Sequence, residues 1–420
     1  MIDLIILADD LTGALDTGIQ FARYNIKTKI LTTVEFSSSL FYEIDTEVLI
    51  VDTKTRHLSP DMAYMIIYRL VKMSVEAGVK YIYKKTDSGL RGNVGSELAA
   101  ALAASNERFL AFIPALPVMN RVTKQGIQYI DGIPVSESVF GSDPYEPVKS
   151  SYVMDLFTEI AYNTVLYKLG SNYCSDFTEP TIGVFDAQTN EDLRGIGRYL
   201  NQKNQLKVIA GCTGFAAILP EIIGIKRIDA ESPKIKKPLL VICGSMNPIS
   251  RQQIEHGEEM GFGRITLSPE QLFEEEVFFS SEDGERWMDG IIQELLEKQV
   301  VMIDTGISRP DIMVKYMSKN GIDLEEVRTK ISRTLGTLLE KFYMMKNGPE
   351  ATVMIIGGDT LRGFIEKINC NEINLVSEIT LGTVLSLVNV YGRYVQIISK
   401  SGGFGTKELF VDIANMTHDT

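Results

Sequence analysis

The chain has 420 residues, of which 45% are hydrophobic and 23% charged, and a net charge of -13 at pH 7. Its length exceeds one ordinary core and predicts two domains, its composition excludes a disordered tail or linker, and its acidic balance excludes nucleic acid as the main partner. Cys174, Cys212, Cys243 and Cys370 form no CxxC pair, which excludes a zinc site or disulfide framework, and with no signal peptide and no membrane-spanning run the expected location is the cytoplasm.

Short apolar runs, each followed by polar or glycine-containing residues and then a helical pattern, recur along the chain. This is the signature of βαβ units and predicts an α/β fold with largely parallel or mixed sheets flanked by helices. The first strand, Leu4 to Ala8, runs into Asp9-Asp10-Leu11-Thr12-Gly13-Ala14. The second, Val48 to Val51, leads to Asp52-Thr53-Lys54-Thr55-Arg56, and a helix follows in which Ser59 caps, Pro60 takes the first turn, Met62, Ile66, Leu70 and Met73 form the apolar stripe and Gly78 stops it. The third, Tyr81 to Tyr83, ends in Lys84-Lys85-Thr86-Asp87-Ser88-Gly89-Leu90-Arg91-Gly92. Strands are also expected at 109–113, 182–185 and 206–209.

Residues 231–237, polar and carrying Pro233, read as a linker between domains 1–230 and 238–420. Beyond it, strands are expected at 239–242, 264–267, 300–303, 353–356 and 395–398, with a long amphipathic helix over about 324–345. Their ends carry Gly244-Ser245-Met246-Asn247, Gly357-Gly358-Asp359-Thr360 and Lys400-Ser401-Gly402-Gly403.

Open α/β sheets bind ligands outside the carboxyl ends of their strands, so these turns are the candidate sites. In the first domain they offer acids, bases and hydroxyls: carboxylates accept from sugar hydroxyls, while Arg and Lys grip an acid group. In the second they offer glycines, which let backbone N–H groups approach phosphate oxygens. No GxxxxGK[ST], no GxGxxG after a strand and no GxSxG occurs, which argues against a Walker NTPase, a Rossmann dehydrogenase and an α/β-hydrolase. With His57, His256 and His418 alone, a histidine metal cage is excluded, and the metal ligands stay unassigned.

Taken together, ADDLTGA at 8–14, KKTDSGLRGN at 84–93, PALPVMNRVTKQG at 114–126, DGIPVSES at 131–138, GSMNPISRQQ at 244–253, GGDT at 357–360 and SKSGGFG at 399–405 resemble the four-carbon acid sugar kinase family along nearly the whole chain. The resemblance implies a sugar-acid-binding N-terminal domain, a nucleotide-binding C-terminal domain with the active site in the cleft between them, and transfer of a phosphoryl group from ATP, with Mg2+, to the terminal hydroxyl of threonate, erythronate or an oxo-tetronate. It implies a substrate set of Asp10, Arg56, Lys85, Thr86, Asp87 and Ser88, to which the same turn adds Asp9. The implied nucleotide set is Ser245, Gly357, Gly358, Asp359, Thr360 and Gly403, to which the same loops add Asn247 and Gly402. Asp10 or Asp87 would act on the hydroxyl, and Lys85 or Arg91 would stabilise charge. The chain departs from the family pattern at Asn247, at Leu361-Arg362-Gly363-Phe364 and at Leu381-Gly382. A kinase of another small hydroxy acid and a non-catalytic sugar-acid sensor are the alternatives, and a homodimer is the oligomeric state to test first.

Overall fold

A computed structural model describes residues 2–143, 146–171, 177–225, 234–245, 247–306, 317, 321, 323–345 and 350–418. Cys174, Met246 and residues 231–233 of the expected linker lie outside these residues. The chain divides into two compact units, Met1–Ala230 and Glu231–Thr420.

The first unit contains β1 (Leu4–Ala8), β2 (Thr28–Leu31), β3 (Val48–Asp52), β4 (Tyr81–Lys85), β5 (Phe109–Ile113), β6 (Arg121–Lys124), β7 (Ile127–Ile130), β8 (Ile133–Pro134), β9 (Asn163–Tyr167), β10 (Thr181–Phe185) and β11 (Val208–Gly211). Its main strands run in the order β2-β3-β1-β4-β11-β5-β10-β9, and every neighbouring pair is parallel. β1, β3, β5 and β10 are buried at every residue, which is why they read as continuous apolar runs and not as alternating ones.

The helix Pro60–Glu76 is capped as expected, Ser59 accepting from the Met62 N–H at 3.4 Å, but its buried stripe is Ala63, Ile67, Leu70, Val71 and Ser74. Met62 is 51% exposed. Of the expected stripe, Leu70 is buried and Ile66 and Met73 are half-buried against the core. This helix packs against the alanine-rich helix Val94–Ser105, where Ser96 Oγ donates to Pro60 O at 2.6 Å.

β6, β7 and β8 form a separate antiparallel sheet that the strand pattern did not predict. Its turns are Gln125-Gly126 and Asp131-Gly132, all four residues at positive φ, the two-residue connection favoured by strand twist.

The second unit contains β12 (Ile235–Lys236), β13 (Leu239–Cys243), β14 (Gly263–Thr266), β15 (Val300–Asp304), β16 (Thr352–Ile356), β17 (Glu372–Thr380), β18 (Thr383–Val390), β19 (Arg393–Lys400) and β20 (Thr417–His418). The order is β14-β15-β13-β16-β19-β18-β17, parallel as far as β19 and antiparallel beyond it, while β12 pairs with β20. The long helix spans Leu324–Met344. Among the described residues no helix is long and apolar enough to cross a membrane.

Both units open with the same wiring. In β2-β3-β1-β4 and again in β14-β15-β13-β16, the first strand has the third on one side and the fourth on the other. The chain changes direction there, and a crevice opens at the carboxyl ends of the two strands that flank the reversal.

Candidate active site

At the switch point of the first unit, register pairs Ala8 with Asp52 and with Lys85, so the turns after β1, β3 and β4 leave the sheet at one level. Asp10 begins the helix Leu11–Ala22, one carboxylate oxygen accepting from the Gly13 N–H at 2.8 Å. Its other oxygen meets Arg56 Nη1 at 2.6 Å, and Arg56 Nε reaches Asp9 at 2.8 Å. Arg56 is thus a bridge between the two acids. Burial would push the Asp9 carboxyl up, but Arg56, Lys84 and Lys85 together hold it below its ordinary value.

Asp87 forms a second, tighter centre. Its carboxylate accepts from the Gly89 N–H (3.1 Å), the Arg91 N–H (3.3 Å), Arg91 Nε (3.0 Å) and Arg91 Nη2 (3.2 Å). Burial opposes ionisation here too, yet Arg56 and Arg91 outweigh it and keep the group well below the usual carboxylate range. Arg91 also reaches Asp143 at 3.3 Å. Lys85 Nζ donates to Thr86 O at 2.9 Å and stands against Gly13: a Cβ there would lie 2.9 Å from it and 2.6 Å from Asp10 Oδ1. Glycine at 13 is what lets Asp10 and Lys85 share that space. Asp9 Oδ1 and Thr86 Oγ1 are buried without a hydrogen-bond partner, each such group costing about 1–3 kcal/mol. A cavity of about 470 Å3 opens beside Arg56 and Arg91, bordered by His57, Glu146, Lys149 and Asp155.

Beneath this cluster lies a buried ion pair that sequence reasoning missed. Lys84 Nζ meets Glu97 at 3.0 Å and Lys85 O at 2.8 Å, and Glu97 also accepts from Thr55 Oγ1, whose oxygen is 2.8 Å from that of Thr53. Lys84 points to the opposite side from Lys85, as strand alternation requires. Arg121, on β6, donates to Ser88 Oγ, while Gln128 Nε2 holds Ser88 O at 3.0 Å. Arg121 lay within a quoted motif, but without the hairpin it had no position relative to Ser88.

In the second unit, register pairs Cys243 with Ile356 and Ile356 with Lys400, so three glycine-bearing loops start side by side. A Cβ on Gly244 would lie 2.1 Å from Thr360 Oγ1, and one on Gly402 would lie 2.2 Å from Ser245 Oγ. Asn247 caps the helix Pro248–Glu259, accepting from the Ile249 N–H at 2.9 Å, so this departure from the family pattern preserves a helix N-terminus at the loop. Gly357, at φ +108, begins the helix Gly358–Lys367. Leu361 and Phe364, departures from the family pattern, are buried on that helix, and Gly363 packs against the Ser332 backbone of the helix Leu324–Met344. Asp359 pairs with Arg328 on that same helix at 2.7 Å. A Cβ on Gly403 would lie 3.2 Å from Asn247 Nδ2.

Lys400, which the sequence reading left unassigned, is 2% exposed and donates to Ser401 O at 3.0 Å and Gly402 O at 3.2 Å. Burial pushes its ammonium down to about 8. Two helix N-termini, a glycine-lined cradle and a buried lysine fit an anionic phosphate chain. Among the described residues no group of three or more His, Cys, Asp or Glu side chains is placed to hold a metal ion.

Residues 4–219 match a sugar-binding N-terminal domain and residues 240–410 a nucleotide-binding C-terminal domain. The chain is 24% identical to a D-threonate kinase of Salmonella typhimurium over 97% of each chain, and 24% identical to a D-erythronate kinase of Heliobacterium modesticaldum over 97% of this chain and 95% of that one. A Haemophilus influenzae relative, 23% identical over 96% of this chain and 97% of its own, is named 3-oxo-tetronate kinase. The fold is shared with a solved structure from Haemophilus influenzae at a TM-score of 0.75 and 21% identity, covering 98% of this chain and 99% of that one. Fold and relatives together define an α/β phosphotransferase. The chain belongs to the four-carbon acid sugar kinase family.

Proposed function

We propose that this chain transfers the γ-phosphoryl group of ATP to the terminal hydroxyl of a four-carbon sugar acid of the threonate, erythronate or 3-oxo-tetronate type. The observation that carries the reading is the cluster at the first switch point, where Asp9, Asp10, Arg56, Lys85 and Asp87 gather with unsatisfied Asp9 and Thr86 oxygens. Such a site suits a small, polyhydroxylated anion. The relatives named as kinases of such acids support the same class of substrate.

The two acids take different parts. Asp87 already accepts four hydrogen bonds and is held strongly ionised, so it is a poor base and serves to position Arg91 and the 87–91 turn. Asp10, beside Lys85, orients the attacking hydroxyl. Phosphoryl transfer asks little of a base, because its transition state is loose and needs alignment and charge neutralisation above all. Lys85 and, in the second unit, Lys400 with the Gly244, Gly357 and Gly402 loops supply that neutralisation. Mg2+, when bound with ATP, would add charge compensation at the phosphates. Use of ATP on a soluble metabolite, together with the buried thiols of Cys212 and Cys243, fits a cytoplasmic setting.

The test is ADP release from ATP and Mg2+ with the purified protein, against both enantiomers of threonate and erythronate and their oxo-acids. Stimulation by one acid names the substrate. No stimulation by any of them, with protein shown to be folded, overturns the reading.

A further inference from the structure

The ion pairs at the first switch point are unevenly shared. Arg56 is committed to Asp9 and Asp10, and Arg91 to Asp87 and Asp143. Among the described residues, two cations of the cluster have no carboxylate partner, Lys85 and Arg121. Lys85 stands over Gly13 beside Asp10, where the reacting hydroxyl is placed.

Arg121 is held differently. Its backbone is locked to Leu116 by the pair Leu116 N–H to Arg121 O at 2.7 Å and Arg121 N–H to Leu116 O at 3.2 Å. Its guanidinium lies 5.1 Å from the Phe140 ring centre, and the same ring carries Arg91 at 5.0 Å. Phe140 in turn fills the space over Gly89, where a Cβ would come within 2.5 Å of the ring. Ser88, the residue Arg121 touches, is buried in the middle of the 84–93 motif and held from below by Gln128, whose Oε1 accepts from Thr123 Oγ1 at 2.7 Å. A planar, permanently charged fork, stacked on an aromatic ring and bonded, among the described residues, to a neutral hydroxyl alone, is built to receive a carboxylate bidentately.

We propose that Arg121 grips the substrate carboxylate and thereby sets the preference for a sugar acid over the corresponding polyol. This moves the grip away from Arg56, whose charge is already matched, and leaves Arg56 to shape the two acids that face the hydroxyls. The inference rests on the kinase reading and concerns the orientation of the substrate within it: carboxylate toward Ser88 and β6, terminal hydroxyl toward Asp10 and Lys85.

Steady-state kinetics of the wild type, Arg121→Gln and Arg121→Lys, each with the active tetronate and with its tetritol, test it. Arg121→Gln should raise KM for the acid on the order of 10- to 100-fold, as loss of a charged hydrogen-bond pair does, with a smaller change in kcat, and should erase a similar factor of preference for acid over tetritol. Arg121→Lys should fall between, and carries the test if Arg121→Gln does not fold, as judged by thermal melting followed by circular dichroism. An unchanged KM with an undiminished preference overturns the proposal. Calorimetric titration of the acid separates the two readings: a wild type that binds the acid and never turns it over sinks the kinase reading alone, and there the same loss of affinity in Arg121→Gln still decides for Arg121. A wild type that neither binds nor phosphorylates any of the acids overturns both.

Discussion

At the switch point of the first unit, Arg56, Arg91, Arg121 and Lys85 stand among Asp9, Asp10, Asp87 and Asp143, whereas at the same point of the second unit the loops carry glycines, helix N-termini and the buried Lys400. The wiring of the strands is common to both, so the contrast lies in what the turns hold. A sugar acid differs from its neighbours by the configuration of single hydroxyls, and only side chains reach far enough to read that. A triphosphate offers the same oxygens every time, and main-chain N–H groups suffice for it.

The sharpest way to break this contrast is to remove one charge from the first unit. Asp87→Asn strips Arg91 of its main counter-charge in a largely buried setting, and should cost about 3–5 kcal/mol of stability, with near-complete loss of turnover. Chemical denaturation against pH checks the cause. Because the folded Asp87 pKa lies below its ordinary 3.8, its contribution is fully present above that value and fades as pH falls below it, so the gap between parent and variant should narrow in acid.

A smaller effect is expected from Gly402→Ala, whose methyl would strike Ser245 Oγ at 2.2 Å and part the loops after β13 and β19. Calorimetry should show nucleotide affinity weakened roughly 10-fold, in line with a conformational strain of about 1–3 kcal/mol at a functional loop, and sugar-acid affinity unaltered. Weakening of both would mean that the two sites are not separate in the way proposed.

The smallest effect has the opposite sign. Lys400 binds its proton less readily in the folded chain than in the unfolded one, its pKa falling from 10.5 to about 8, so at pH 7 its burial as a cation destabilises the fold. Lys400→Met should raise Tm at neutral pH by about 2–4 °C while weakening ATP binding, and that gain should shrink as pH rises from about 8 to 10.5. A lower Tm at pH 7 would show Lys400 to be a structural cation.

The positions of the site turns were legible because a parallel strand buried on both faces reads as an unbroken apolar run, and Asp9, Lys85, Gly244 and Gly357 stand where those runs stop. β17 and β18 were not legible as apolar runs, since β17 alternates buried with half-buried residues, as an antiparallel strand with one partly open face does, and β18 does so from Leu387 on. The β6–β8 hairpin was announced by Asp131-Gly132, a strong turn signal whose strands are too short to stand out. What no local pattern could supply is which cation meets which acid. Arg91, four residues from Asp87, is its partner, while Arg56 reaches back 47 residues to Asp9, and that choice is made by the packing of three turns.

Cys212 closes the crevice from the β11 side, donating to Ala115 O at 3.1 Å, and burial pushes its thiol above its ordinary value. Only a thiolate attacks electrophiles or enters disulfide exchange, and at neutral pH this one is scarce and shielded. A sulfur bordering a site crowded with cations therefore escapes the activation that such cations usually bring, and Cys212 should stay unmodified through exposure to alkylating agents and mild oxidants that attack accessible thiols.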